Sequence, residues 1–107
     1  MAHRGLVTLE MVTEDDQTVV LRLDQEVPAL ALAGTSVVVL KLGDRRELRR
    51  STAKAVALAH RELRAVGARL VVVTDAAGAR HCTRVCPDLM LAATERQAHA
   101  AVGLRAL

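Results

Sequence analysis

Apolar and polar residues alternate loosely over residues 6–12, and this period of two predicts a half-buried β-strand. A polar stretch over residues 13–17 predicts a turn, after which β-branched and apolar residues resume over residues 18–23. Together these segments predict an antiparallel hairpin. Residues 24–35 then form a short connector, in which Pro28 leaves room for at most two helical turns.

Two nearly continuous apolar runs, residues 36–42 (SVVVLKL) and residues 69–74 (RLVVVT), are typical of strands covered on both faces of a parallel sheet. Between them, a charged loop over residues 43–50 leads into a helix that begins near Ser51, a suitable N-cap, and ends at Gly67. One apolar stripe recurs along this helix at Thr52, Val56, Ala59, Leu63 and Val66. The order strand, helix, strand predicts a right-handed crossover.

The last third of the chain repeats this pattern in shorter form. A short helix over residues 79–86 is stopped by Pro87, and residues 88–93 supply a last short strand. Thr94 opens a capping box for a final helix that ends before Gly103. The sequence therefore predicts a single α/β domain over residues 1–107, with a mixed sheet of about five strands and a first crossover helix that is shortened or absent.

Composition narrows the function classes. The 107 residues carry a formal charge of +3 and include no Phe, Trp or Tyr, so the core is built from Val, Leu and Ala. Nucleic-acid binding is disfavoured, because the stacking platforms that hold unpaired bases are missing. No stretch approaches the roughly 18 apolar residues of a membrane span, and the N-terminus does not resemble a secretory signal. We expect a cytoplasmic protein with no membrane partner.

Residues suited to catalysis or cofactor binding do not cluster in the sequence. The glycine positions match neither a dinucleotide fingerprint nor a phosphate-binding loop. The histidines are scattered at His3, His60, His81 and His99. Cys82 and Cys86 lie four residues apart on one helical face, which predicts two buried apolar side chains and not a disulfide or a metal site. We expect no metal, no cofactor and no enzymatic activity.

One charged segment has a position that favours function. It follows a central strand and precedes the longest helix, where open α/β sheets place their sites and where a helix N-terminus favours anions. Its arginines suit an acidic or phosphorylated partner, although a merely solvated basic loop is the equally weighted alternative. The candidate partner-binding residues are Asp44, Arg45, Arg46, Arg49, Arg50, Ser51 and Thr52.

From residue 36 onwards the chain resembles a STAS domain, the module of bacterial anti-sigma factor antagonists and of some transporter tails. Three stretches carry the resemblance: SVVVLKL before the charged loop, AHRELRAVGARLVVV through Gly67, and ARHCTRVCPDLMLAATERQAHAAV in the tail. In that family the loop before the long helix carries Asp-Ser-Ser/Thr-Gly, whose first Ser is phosphorylated by a kinase that is itself an anti-sigma factor.

The family's phosphorylation motif falls on Arg49, Arg50, Ser51 and Thr52, so arginine replaces both the Asp and the usual phosphoacceptor. Ser51 and Thr52 remain as candidates for phosphorylation, and phosphate at a helix N-terminus beside arginines would be stabilised.

The resemblance implies a non-enzymatic regulatory protein that docks on an anti-sigma factor or a related kinase-like regulatory ATPase. A homodimer is a further candidate assembly. The alternative is a STAS-like scaffold or self-assembling structural subunit without a phosphate switch.

Overall fold

The computed structural model describes residues 5–45 and 48–103, in which strands and helices alternate from the first element to the last. The elements are β1 (Leu6–Glu10), α1 (Asp16–Leu32), β2 (Val37–Gly43), α2 (Arg50–Ala65), β3 (Arg69–Thr74), α3 (Ala76–Val85), β4 (Met90–Ala92) and α4 (Glu95–Ala101).

The four strands form one sheet in the order β1-β2-β3-β4, and each pairs in parallel with its neighbour. In register, Leu9 lies beside Leu40, Leu40 beside Val72 and Val72 beside Leu91. Each helix connects two adjacent parallel strands, apart from α4, which follows the last one. All strands therefore end at the same edge of the sheet, and the loops that follow them meet there.

Alternate residues of the central strands enter two separate apolar layers. Leu40, Leu42 and Val72 pack with α1, α2 and α3, which cover one face of the sheet. Val39 and Val71 lie on the other face against Ala98 of the short helix α4. Coverage of both faces explains the unbroken apolar runs of β2 and β3, and the prediction that these two strands form the centre of the sheet is confirmed.

The predicted hairpin is wrong, because residues 18–23 lie within α1. Val19, Leu23 and Val27 recur every four residues and are buried on one face of this helix. Asp15 caps it by accepting a hydrogen bond from the Thr18 backbone N–H at 2.8 Å. Packing of this stripe on the sheet overrides the strand preference of the β-branched residues.

The expectation of a shortened or absent first crossover helix is also wrong, because α1 spans 17 residues. Pro28, expected near the start of a short helix, lies inside α1. Its ring removes one N–H from the helical ladder, and the residue four positions earlier, Asp24, is exposed to solvent. The mixed sheet of about five strands is not confirmed: residues 5–45 and 48–103 contribute four strands, all parallel.

Other boundaries differ by a few residues. The second helix starts at Arg50, so Ser51 lies in its first turn and is not its N-cap. Helix α3 begins earlier than expected because Asp75 caps it through the Gly78 backbone N–H at 2.9 Å. Thr94 caps α4 as predicted, accepting from the Gln97 N–H at 3.1 Å. Four of the five predicted stripe residues of α2 are buried, whereas Val66 is exposed.

Both cysteines are buried and unpaired, as predicted. Burial raises the pKa of the Cys82 thiol to about 11. Among the residues that the structure describes, no helix combines the length and the apolar character needed to cross a bilayer.

Close packing joins the ends of β2 and β3. Gly43 ends β2 with a φ of +71°, a left-handed conformation that favours glycine, and Val12 fills the space that a Cβ would need. The Thr74 hydroxyl donates to the Gly43 carbonyl at 2.8 Å. Gly78 of α3 lies directly over this hydroxyl, so a Cβ at position 78 would overlap the Thr74 Oγ1. The absence of a side chain at Gly78 therefore lets α3 begin close to the sheet.

We expect Gly78→Ala to lower the free energy of unfolding by about 1–2 kcal/mol, since overpacking outweighs the higher helix propensity of alanine. In a Thr74→Ala background the closest obstruction is gone, and the same substitution should cost less, although the added Cβ still lies 3.2 Å from Asp75 Oδ1 and from the Cβ of residue 74. Urea denaturation of the two single variants, the double variant and the unmodified chain measures this coupling. A stabilising effect of Gly78→Ala alone would contradict the packing.

Candidate functional site

The charged loop after β2 is anchored by Arg45, whose guanidinium points inward. Its Nη1 donates to Asp16 Oδ1 at 3.1 Å, its Nη2 to the Met11 carbonyl at 2.7 Å and its Nε to the Leu42 carbonyl at 2.9 Å. Only 10% of the side chain is exposed. Arg45 therefore joins the loops after β1 and β2 and holds the start of α1, and it does not present its charge to a partner.

The N-terminus of α2 is capped from outside the helix. Arg49 occupies the N-cap position without a side-chain cap of its own. Instead, Asp16 Oδ2 accepts the Arg49 backbone N–H at 2.8 Å and the Thr52 hydroxyl at 2.9 Å. A carboxylate here is favoured by the helix dipole. The place where the sequence predicted a partner's anion is thus filled by the protein's own carboxylate.

Asp75, the residue after β3, completes the arrangement at this edge of the sheet. Its Oδ1 accepts the backbone N–H groups of Gly78 at 2.9 Å and of Arg45 at 3.2 Å. These two bonds, that from Gly78 first, lower the pKa of the Asp75 carboxyl. Asp75 thus orients both the start of α3 and the loop after β2.

The seven predicted partner-binding residues separate into different environments. Arg45 and Thr52 belong to the internal network, and Thr52 has no exposed surface. Arg46 lies outside the described residues. The other four are exposed at the surface, namely Asp44, Arg49, Arg50 and Ser51. Of the two phosphorylation candidates, only Ser51 is accessible in the folded protein.

A groove between α2 and α3 begins beside this edge of the sheet. Its upper part, a hollow of about 410 Å³, has Leu48, Ala53 and Val85 in its lining. A second hollow of about 320 Å³ shares Val85 and continues along α2 past Ala57 and the exposed Leu58. We call these two hollows the α2/α3 groove. Its floor is aliphatic, a surface that a partner's apolar side chains would bury.

The rims of the α2/α3 groove are basic. Five cationic or titratable side chains line it: Arg50, Lys54 and Arg61 from α2, and His81 and Arg84 from α3. The three arginines and the lysine are exposed, and none of them pairs with a carboxylate elsewhere in residues 5–45 and 48–103. An apolar floor between unpaired cations suits a partner segment that carries both carboxylates and aliphatic side chains.

Only one part of this groove is predicted by the sequence. Arg50 belongs to the basic segment that the sequence predicts, whereas Lys54 and Arg61 are not among the predicted residues. Arg84 follows His81 by three residues, so both lie on one side of α3. That spacing was visible in the sequence. The face of α2 that these two side chains meet is fixed only by the packing of α3 beside α2.

Comparisons of the chain with family models, with curated proteins and with solved structures found no match.

Removing the Asp16 carboxylate tests the internal network. We expect Asp16→Ala to lower the free energy of unfolding by about 2–4 kcal/mol, because Arg45 loses its ionic partner and the start of α2 loses its cap. The neighbouring variant Asp15→Ala removes one exposed capping bond of α1 and is the matched control, with a smaller loss. Urea denaturation monitored by far-ultraviolet circular dichroism compares them. Equal losses in the two variants would contradict the central role of Asp16.

Proposed function

We propose that this chain is a non-enzymatic protein-binding domain whose α2/α3 groove docks an acidic, partly apolar surface of a regulatory partner. The observation that carries the proposal is the pairing of an aliphatic floor with exposed cations that have no carboxylate partner among the described residues. A surface of this kind gains apolar burial and charge complementarity together when a partner binds.

The element order extends the proposal toward the anti-sigma factor antagonists. From β2 onwards, strands and helices follow the order that the STAS resemblance implies, with the basic loop before the long helix. We propose that the partner is an anti-sigma factor or a related kinase-like regulatory ATPase, and that the first turns of α2 form the centre of the contact.

The accessible Ser51 supports a switch that differs from the family's own. Ser51 lies between the exposed Arg50 rim and the buried Thr52, in the first turn of α2. Phosphate on its hydroxyl would be held by Arg49 and Arg50 and would lower the positive potential that an acidic partner meets. In this proposal phosphorylation releases the partner by competing for the arginines, although the family's phosphoacceptor position holds arginine.

Charge reversal on both rims tests the docking surface. The partner is first recovered by pull-down with the tagged full chain from native cells and is then purified. We expect Arg50→Glu with Arg84→Glu to weaken its binding at least tenfold, about 1.4 kcal/mol, because attraction becomes repulsion across the groove. The control is Arg69→Glu with Arg96→Glu, which changes the net charge equally at exposed positions outside the groove.

Isothermal titration calorimetry measures both pairs of variants. Equal weakening in the two would mean that net charge and not the groove governs binding, and unchanged binding in the groove variant would refute the docking surface. Recovery of only the chain itself would favour the scaffold function. In that case the exposed Leu21 and Leu58, which border one hollow between α1 and α2, are the apolar side chains to examine.

A negative charge placed at Ser51 tests the proposed phosphorylation switch. We expect Ser51→Glu to weaken binding of the purified partner by about threefold or more, since the new carboxylate reduces the potential at Arg50. Ser51→Gln introduces a side chain of the same size as glutamate but without its charge. This variant should bind the partner as tightly as the unmodified chain does. Titration calorimetry at low and high salt compares them, and the difference should shrink as salt screens the charges. Equal affinities of the Glu and Gln variants at low salt would argue against the switch.

A further inference from the structure

A second cluster of functional side chains lies toward the other end of α2. His60 of α2, Cys86 at the end of α3 and Asp88 in the turn before β4 approach one another. His60 Nε2 is 3.4 Å from Asp88 Oδ2, and Cys86 Sγ is 3.2 Å from Asp88 Oδ1. All the donor atoms lie within 4.8 Å of one another. The fold thus brings together a histidine and a cysteine that lie far apart in the sequence.

We propose that His60, Cys86 and Asp88 bind a divalent transition-metal ion of the zinc class. Ordinary bond lengths from zinc to nitrogen, sulfur and oxygen place the ligands of a tetrahedral site about 3.3–3.6 Å apart. The His60–Asp88 separation of 3.4 Å lies within that range, and the Cys86–Asp88 separation of 3.2 Å lies a few tenths of an ångström below it, although the two contacts use different oxygens of Asp88. The three ligand atoms lie within 4.8 Å of one another, so rotations of the side chains would bring them onto one ion. Imidazole and thiolate together favour zinc or cobalt over calcium and magnesium, which take oxygen ligands.

The existing contacts of the cluster are ones that a metal can replace. The Cys86 thiol donates to Asp88, and on metal binding that proton leaves to solvent while the thiolate and the carboxylate both bind the ion. Arg64 Nη1 also donates to Asp88 Oδ2 at 3.0 Å, but its side chain is 72% exposed and can turn into water. The metal would take over the role of Arg64 as the partner of Asp88.

Space for a fourth ligand is present beside the cluster. A hollow of about 400 Å³ is lined by His60, Asp88, Leu70 and Met90, among others, and it gives solvent access to the cluster. His60 directs its Nε2 at Asp88, and its Nδ1 is buried without a partner in the described part of the chain. Three protein ligands with an open position would therefore leave room for water or for a group from outside.

Metal binding at this cluster would link α2 to the end of α3. These are the two helices that form the α2/α3 groove, so the ion would hold them together at the end of α2 opposite Arg50. The site itself rests on its own three side chains and does not depend on what the groove binds.

Cobalt(II) is the spectroscopic probe for this site. We expect the purified full chain, kept reduced, to bind about one equivalent and to show a thiolate-to-cobalt charge-transfer band in the near ultraviolet, which added zinc abolishes. The absence of Trp and Tyr leaves that spectral region clear. Zinc should also raise the melting temperature by several degrees, because it binds the folded chain.

Two cysteine variants form the decisive pair. Cys86→Ala should lose the band, whereas Cys82→Ala should keep it, because Cys82 is buried outside the cluster. Asp88→Asn removes a ligand at a position that is 59% exposed, so it leaves the fold intact and should weaken cobalt binding at least tenfold.

Circular dichroism confirms that each variant is folded. A missing band in the unmodified chain, equal bands in the two cysteine variants, or unchanged affinity in Asp88→Asn would overturn the site. Because no partner protein is used, failure here would leave the proposed docking function untouched, and failure of docking would leave the metal site untouched.

Discussion

The carboxylate of Asp16 is the contact on which the functional edge of the sheet depends. It lies in the first turn of α1, yet its bonds go to Arg45 after β2 and to Arg49 and Thr52 at the start of α2. One carboxylate thereby neutralises a nearly buried guanidinium and caps α2, the helix that connects the two central strands. If it were absent, an arginine would remain desolvated without a counter-ion, which is among the costlier defects that a small domain can carry.

This internal use of charge decides which arginines remain for binding. A loop rich in arginine and placed before a helix suggests one continuous anion site, but Arg45 and the α2 N-terminus satisfy each other through Asp16. Among the arginines of this segment that the structure describes, Arg49 and Arg50 keep their charge exposed, and positive charge continues along the outer side of α2 toward α3. The proposed docking surface is therefore displaced from the loop to the groove between these helices.

Helices α2 and α3 contribute both proposed sites, one at each end of their contact. At one end, basic rims flank an aliphatic floor, and at the other, His60 meets Cys86 and Asp88. A ligand at either end would act on the same helix pair. The two proposals remain separate in their chemistry, because the groove suits carboxylates and aliphatic groups whereas the triad suits a metal cation.

Local sequence pattern predicts the buried strands β2 and β3, the stripe of α2 and the cap of α4, because each is specified by local period or by a capping residue. It misassigned residues 18–23, since an apolar β-branched run satisfies either a strand or the buried side of a helix, and packing makes the choice. Tertiary structure alone decided that Asp16 reaches Arg45 and that His60 reaches Cys86. Those pairs are distant in sequence. Only the positions of α1, α2 and α3 on one face of a parallel sheet bring Asp16 within hydrogen-bonding distance of Arg45 and His60 within 4.8 Å of Cys86.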